Sequence, residues 1–299
     1  MNWIKLGQIF TVSSTCEEMV SHAANPLAIH LNGDVYRIFY STRNGLNKSS
    51  VSFVDINIMT LENINNPDEV VFSYGHAESF YSHGVSIGNC YLQDNKQYIL
   101  FMGWQHKDGE HWRGDVGRLE LIDKKELKLD PIHAFMENDG EDRISLSYPC
   151  VIFHEGMYKM WYGSTIDWTS DNGEMIHVIK YATSLDGENW KKHGIAIPYE
   201  IGVAQAFSKP SVLINDTGYH MWYSYRSGDG TKYRIGYSHS ADGINWERKH
   251  NEVGIDVSKT GWDSEMICYP FVFEHQNDKY MLYNGNEYGK SGFGIAKFE

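Results

Sequence analysis

The stretch KPSVLINDTGYHMWYSYRS, residues 209–227, decides how this chain is read. It runs from a Pro-led apolar segment through a polar turn into an aromatic segment carrying Met and Tyr. YPCVIFHEGMYKMWYGSTI (148–166) and YPFVFEHQNDKYMLYNGNE (269–287) follow the same order. NPLAIHLNGDVYRIFYSTR (25–43) is a further copy, and NCYLQDNKQYILFMGWQ (89–105) keeps the hairpin without the Pro. Pro149, Pro210 and Pro270 stand about 60 residues apart, and the interval from Pro26 to Pro149 holds two units. Self-similarity at a fixed period is the mark of a repeat architecture.

Each unit goes on in the same way. A third apolar segment follows, such as HVIKYATS (177–184) or YRIGYSHS (233–240), and then SLDGENW (184–190) or SADGINW (240–246). Asp-Gly between alternating segments signals a hairpin, because Gly supplies the positive φ of a tight turn. The Trp after it opens a fourth strand. Five units of four antiparallel strands predict an all-β fold, a five-bladed β-propeller spanning 1–299 as one domain. The last unit ends at GFGIAKFE after three strands, and NWIKLGQIFTV at the N-terminus resembles the missing fourth. An N-terminal strand that completes the last blade closes the ring and covers an edge that otherwise invites aggregation.

Bulk properties limit the partners. A formal net charge of −13 argues against nucleic acid and anionic membrane, since the field of the chain repels phosphate. No basic-then-apolar leader and no span-length apolar run is present, so a cytoplasmic protein is expected. The four cysteines, 16, 90, 150 and 268, lack CxxC spacing, and the last three lie in apolar runs, so free thiols are expected. Aromatic residues reach 14% of the chain, which suits a site that stacks on flat ligands.

In a propeller the first strand of each blade lines a central channel, and residues at its start stand at one mouth. GWDSEMICYP (261–270) puts Asp263 and Glu265 there, sharing a face if extended. The equivalent places hold His22 in blade one and His83 in blade two. Blade three offers Glu141, Asp142, Arg143, Ser147 and Tyr148, blade four Ser208 and Lys209, and blade five also Tyr269. The second strands return to the same mouth with Arg43, Trp104, Trp168, Arg226 and Asn286. Polar groups from every blade, with aromatic faces among them, suit a small-molecule or oligosaccharide ligand. Arg143 and Arg226 have the fork geometry for a carboxylate or phosphate. Rim salt bridges and backbone-bonded histidines are the structural alternatives. No HxH or HExxH spacing supports a metal, and no cofactor is expected.

The KPSV, YPCV and YPFV blade starts, the MWY strands and the SxDGxxW hairpins resemble the five-bladed propeller glycoside hydrolases and their relatives. These include arabinanases and xylosidases, invertases and levansucrases, and mannoside phosphorylases. The resemblance covers nearly the whole chain and implies sugar chemistry at the channel mouth. In the arabinanase-like relatives it implies a base from blade one, a pKa-tuning Asp from blade two and an acid Glu from blade three. Here His22 and His83 stand where the first two acids would lie, and only blade three keeps acids, Glu141 and Asp142. Glycoside cleavage needs a proton donor and a second carboxylate. The acid pair of blade five therefore makes Glu265 the expected acid/base, with Asp263 or a blade-three acid such as Glu141 as its partner. Saccharide binding without cleavage, and phosphorolysis at an Arg/Lys/His phosphate site, are the other readings.

Overall fold

A computed structural model describes residues 1–13, 16–106 and 110–299. The described residues form twenty strands and almost no helix. Four consecutive antiparallel groups appear in chain order. The first is β2 (Ser21–Asn32), β3 (Val35–Arg43), β4 (Ser49–Asn57) and β5 (Glu62–Asn65). The second is β6 (Gly84–Gln93), β7 (Lys96–Gln105), β8 (Arg113–Ile122) and β9 (Glu126–Leu129). The third is β10 (Ser145–His154), β11 (Met157–Asp167), β12 (Ile176–Ser184) and β13 (Lys191–Ile195). The fourth is β14 (Ala206–Asn215), β15 (Gly218–Arg226), β16 (Arg234–Ser240) and β17 (Glu247–Arg248).

The last group is built from both ends of the chain. β18 (Cys268–His275), β19 (Asp278–Asn284) and β20 (Phe293–Phe298) pair in order, and β1 (Trp3–Phe10) adds to β20 as the fourth strand. Single parallel bridges, Ser49 to Gly84 and His177 to Ala206, join groups one to two and three to four. The first strands β2, β6, β10, β14 and β18 pack against one another in succession, and β18 packs against β2. They carry the apolar runs that the repeat predicts, with Leu27, Val85, Ile87, Leu146 and Phe207 fully buried.

The prolines now have a physical explanation. Each first strand breaks register across two residues: between Ala24 and Leu27, Ile87 and Cys90, Ser147 and Cys150, Ser208 and Ser211, and Cys268 and Phe271. Pro lacks the N–H that a ladder position requires, so a bulge is where a strand tolerates it. The residue before each Pro takes positive φ: Asn25 (57°), Tyr148 (31°), Lys209 (50°) and Tyr269 (55°).

The SxDGxxW segments are local structural devices. Ser184 Oγ accepts from Gly187 N at 2.9 Å, and Asp186 Oδ1 accepts from Glu188 N and Asn189 N at 2.9 and 2.8 Å. Ser240, Asp242, Gly243 and Asn245 repeat these bonds. Gly187 and Gly243 both have φ of 76°. All four cysteines are free, with Cys150 and Cys268 buried. No described helix is long and apolar enough to cross a membrane.

Candidate functional site

Strand starts and ends from several groups converge on one cleft of about 550 Å³. Its wall carries three tryptophans, Trp104, Trp112 and Trp168, and four tyrosines, Tyr148, Tyr233, Tyr269 and Tyr288. Trp112 meets Trp168 edge-on at 4.9 Å, and His111 stacks on Trp168 at 4.7 Å. Tyr269 lies among the other three tyrosines, with ring centroids 5.6, 6.2 and 6.4 Å from Tyr148, Tyr233 and Tyr288. Burial pushes the phenol of Tyr269 well above its usual range. The Tyr269 ring therefore stays neutral, and the four rings present apolar faces with hydroxyl edges.

Few charges line this cleft. Among the described residues, Arg43, Arg226 and Glu174 are the Lys, Arg, Asp or Glu side chains that line it. Arg226 Nη2 donates to Glu174 Oε1 at 2.8 Å, and its guanidinium lies 4.8 Å from the Tyr233 ring centre. The Nε of Arg226 is buried and has no hydrogen-bond partner among the described residues. Arg43 donates to Asn47 Oδ1 at 2.6 Å and forms no ion pair among the described residues. In a chain of net charge −13, a lining with two cations and one carboxylate is a local reversal of sign.

A relay of uncharged side chains stands in the cleft wall. His177 Nε2 and Ser147 Oγ lie 2.6 Å apart, and its Nδ1 and Thr165 Oγ1 lie 2.7 Å apart. Burial, assisted by Arg226, pushes the imidazole down to about 3, so it is neutral at physiological pH. One ring nitrogen then donates and the other accepts, so the Ser147 and Thr165 hydroxyls take opposite hydrogen-bonding roles towards the ring. Gly163 makes room for this contact: a Cβ there would lie 2.1 Å from Ser147 Oγ and 2.5 Å from His177 Nε2.

Of the expected site residues, Arg43, Trp104, Ser147, Tyr148, Trp168, Ser208, Arg226 and Tyr269 line the cleft. The others do not. Lys209 is fully buried, and burial lowers its amine to about 7 despite the Cys150, Cys268 and Cys90 thiols nearby. His22 hydrogen-bonds Ser21 at 2.8 Å and is pushed down to about 4 by burial and by Arg43 and Lys290. His83 hydrogen-bonds Ser82 and lies 5.8 Å from the Trp104 ring. Arg143 is exposed and bonded to Gly140 O at 3.0 Å. Asn286 accepts from the backbone N–H groups of Glu265 and Met266.

The three expected acids also lie off the lining. Glu265 is exposed and paired with Lys232. Glu141 is exposed, and its backbone carbonyl accepts from Lys180 at 2.8 Å. Asp263 is buried, with Oδ2 accepting from Lys5 Nζ at 2.7 Å and Tyr283 Oη at 3.1 Å. Asp142 in group three has the same surroundings. It accepts from Tyr162 Oη at 3.1 Å, from Lys192 Nζ at 2.5 Å and from Lys180 Nζ at 2.8 Å. Burial acts to raise the Asp142 carboxyl, but hydrogen bonds from Lys180, Lys192 and Ser164 outweigh it and hold it below the usual range. Asp263 thus occupies the clasp position of its repeat, tying the fourth strand to the second.

The expectation omitted Glu174, His177, Tyr233 and Tyr288. Third strands run parallel to first strands, so they too begin at this rim; β12 and β16 start there beside His177 and Tyr233. That signal was available in the repeat. Glu174 and Tyr288 sit in connections, where no period places them. A larger groove, about 740 Å³, lies at the opposite strand ends around His154, Ser184 and Ile244, and gathers none of the expected residues.

Known structures share this fold. A glycoside hydrolase aligns over 99% of this chain and 92% of its own, with TM-score 0.75 and 14% identity. A structure concerning the GH130 family of mannoside phosphorylases and its hydrolases of β-1,2 mannosidic linkages in Candida mannan aligns over 100% and 94%. Its TM-score is 0.74 at 10% identity. Sucrose-6-phosphate hydrolase from Lactobacillus gasseri aligns over 94% of this chain and 60% of its own, with TM-score 0.63 and 11% identity. The chain therefore shares the all-β, propeller-like fold of these proteins. No protein-family model matches the chain. Two proteins of Mycobacterium tuberculosis match from end to end. They are uncharacterized protein MT1551 (strain CDC 1551 / Oshkosh) and uncharacterized protein Rv1502 (strain ATCC 25618 / H37Rv), each 37% identical over 303 residues and 100% of both chains. The chain belongs to the family that these two mycobacterial proteins represent.

Proposed function

We propose that the chain is a five-bladed β-propeller, one domain over 1–299, that binds a saccharide in the tryptophan–tyrosine cleft. Five four-stranded groups in chain order, first strands packed in succession from β2 to β18 and back to β2, and the β1–β20 pairing support the ring. The saccharide reading rests on one observation. A single cleft about 550 Å³ in volume joins seven large aromatic faces to Arg43, Glu174, Arg226, Ser147 and Ser208. A sugar ring offers apolar C–H faces to such rings and hydroxyl edges to such polar groups. The glycoside-processing proteins that share the fold agree with this reading.

Glycoside hydrolysis uses two carboxylates, and Glu174 is the one carboxylate among the described residues of the lining. Its Oε1 accepts from Arg226 and from Met175 N. We therefore assign the proton-transfer role to Glu174 rather than to Glu265, Asp263 or Glu141, which do not line the cleft. Arg43 and Arg226 favour a second reading, phosphorolysis. A phosphate oxygen held by the arginines attacks the anomeric carbon and the glycosidic C–O bond breaks. Glu174 relays the proton of the attacking hydrogen phosphate to the leaving oxygen, and a sugar 1-phosphate forms.

Calorimetry and product analysis with β-1,2-mannobiose, sucrose and mannose 6-phosphate, with and without inorganic phosphate, test these readings. Binding to the wild-type chain is expected. Glu174→Gln is expected to abolish turnover, by 10²-fold or more, while retaining binding. Cleavage that requires phosphate selects phosphorolysis. Binding without product selects a saccharide-binding protein. No binding by any of the three sugars rejects the saccharide reading.

A further inference from the structure

The connection between β19 and β20 passes through three successive left-handed residues, Glu287 (φ 52°), Tyr288 (φ 60°) and Gly289 (φ 86°). The other adjacent non-glycine left-handed pairs among the described residues stand at hairpin tips: Asp94–Asn95, Asp123–Lys124 and Gln276–Asn277. Each of those pairs includes an Asp or Asn, whose short polar side chain tolerates the conformation. Glu287 and Tyr288 have no such side chain, so this turn is strained.

The neighbours hold the strain in place. Asn284 is fully buried, donates to Ala23 O at 2.8 Å and Gly292 O at 2.9 Å, and accepts from Asn25 N at 2.8 Å. Asn286 Nδ2 donates to Gly261 O at 3.1 Å, and Lys290 O accepts from His22 N at 3.2 Å. Both shoulders of the turn are tied to other groups of the fold. The centre is not: Tyr288 is 39% exposed and its hydroxyl has no hydrogen bond among the described residues. Its ring lies 6.0 Å from Tyr233 and 6.4 Å from Tyr269, on the cleft wall. Strain that the surroundings enforce on a residue of a cleft wall points to a role at a binding site.

We propose that Tyr288 is a specificity-determining platform. The pinned turn presents its ring at the cleft, where it stacks on the apolar face of a bound sugar and extends the Tyr233–Tyr269 wall. This rests on the saccharide reading. The test pairs thermal melts with calorimetry, using β-1,2-mannobiose and mannose 6-phosphate on the wild-type chain, Tyr288→Phe, Tyr288→Gly and Glu287→Gly. Tyr288→Gly is expected to melt no lower than wild type, because it relieves strain, and to bind roughly three- to tenfold more weakly. Tyr288→Phe keeps the ring and binds within about twofold of wild type. Glu287→Gly melts higher and retains binding. Unchanged affinity in Tyr288→Gly overturns the proposal alone, as does a lower melting temperature in that variant, which marks Tyr288 as structural. A wild-type chain that binds neither sugar overturns the saccharide reading, and this proposal falls with it.

Discussion

Lys209 shows how far a single residue can depart from what its type suggests. Its position at a first-strand bulge was legible from the KPSV repeat, but its environment was not. The amine is enclosed by Phe271 and by thiols that arrive from three other first strands. Burial lowers it from 10.5 to about 7. The folded state thus binds fewer protons than the unfolded chain between those values, and stability rises with pH across that window. The penalty is fully present below about pH 7 and disappears as pH approaches 10.5. Lys209→Met should remove this slope and stabilise the fold at neutral pH by up to ~5 kcal/mol. Urea unfolding of both proteins at pH 7, 8.5 and 10 measures it; parallel pH profiles would contradict the assignment.

Among elements, the fourth strands of groups three and five are each held by an aspartate clasp. β1 comes from the other end of the chain, and Asp263 holds it through a lysine 258 residues away. No local pattern announces such a bond. The period did: Asp142 and Tyr162 are separated by the same interval as Asp263 and Tyr283, and both pairs share a 3.1 Å hydrogen bond. Comparing the two copies would have assigned Asp263 to holding strands together. Asp263→Ala leaves the Tyr283 hydroxyl and the Lys5 ammonium without their acceptor. Because Lys5 is 23% exposed, the cost is expected near ~2–3 kcal/mol, below that of a fully buried pair. A thermal melt reads that loss, with saccharide affinity unchanged in the folded protein. Lost affinity at an unchanged melting temperature would return Asp263 to the binding site.

For the whole molecule, the strand order and the bulges were readable because prolines and aromatic runs recur at a fixed spacing. Arg43, Trp104, Tyr148, Ser208, Arg226 and Tyr269 were readable for the same reason, since each stands at a strand end that the repeat locates. Glu174 and Tyr288 were not, because connections carry no period and their side chains are aimed by bonds between groups. The sheet of β18, β19, β20 and β1 joins the two ends of the chain, so its loss affects the entire fold. Deleting residues 1–10 exposes the β20 edge and the Phe293 and Ile295 side chains beside it. That truncation is expected to lower the melting temperature by more than 10 °C, at about 4 °C or less per kcal/mol for a chain of this size. It should also self-associate in size-exclusion chromatography; a monomer with native stability would contradict the role given to β1.

The two-residue bulges carry a wider implication. Each one turns a single side chain out of its ladder while the strand continues unchanged on either side. Asn25, Tyr148, Lys209 and Tyr269 occupy such places, and Gly88 and Asn89 fill the interval in group two. Tyr148 and Tyr269 are the two of these that reach the cleft wall. The backbone works as a holder and these side chains as its inserts, and descendants of this chain could acquire a new ligand preference by altering one of those two.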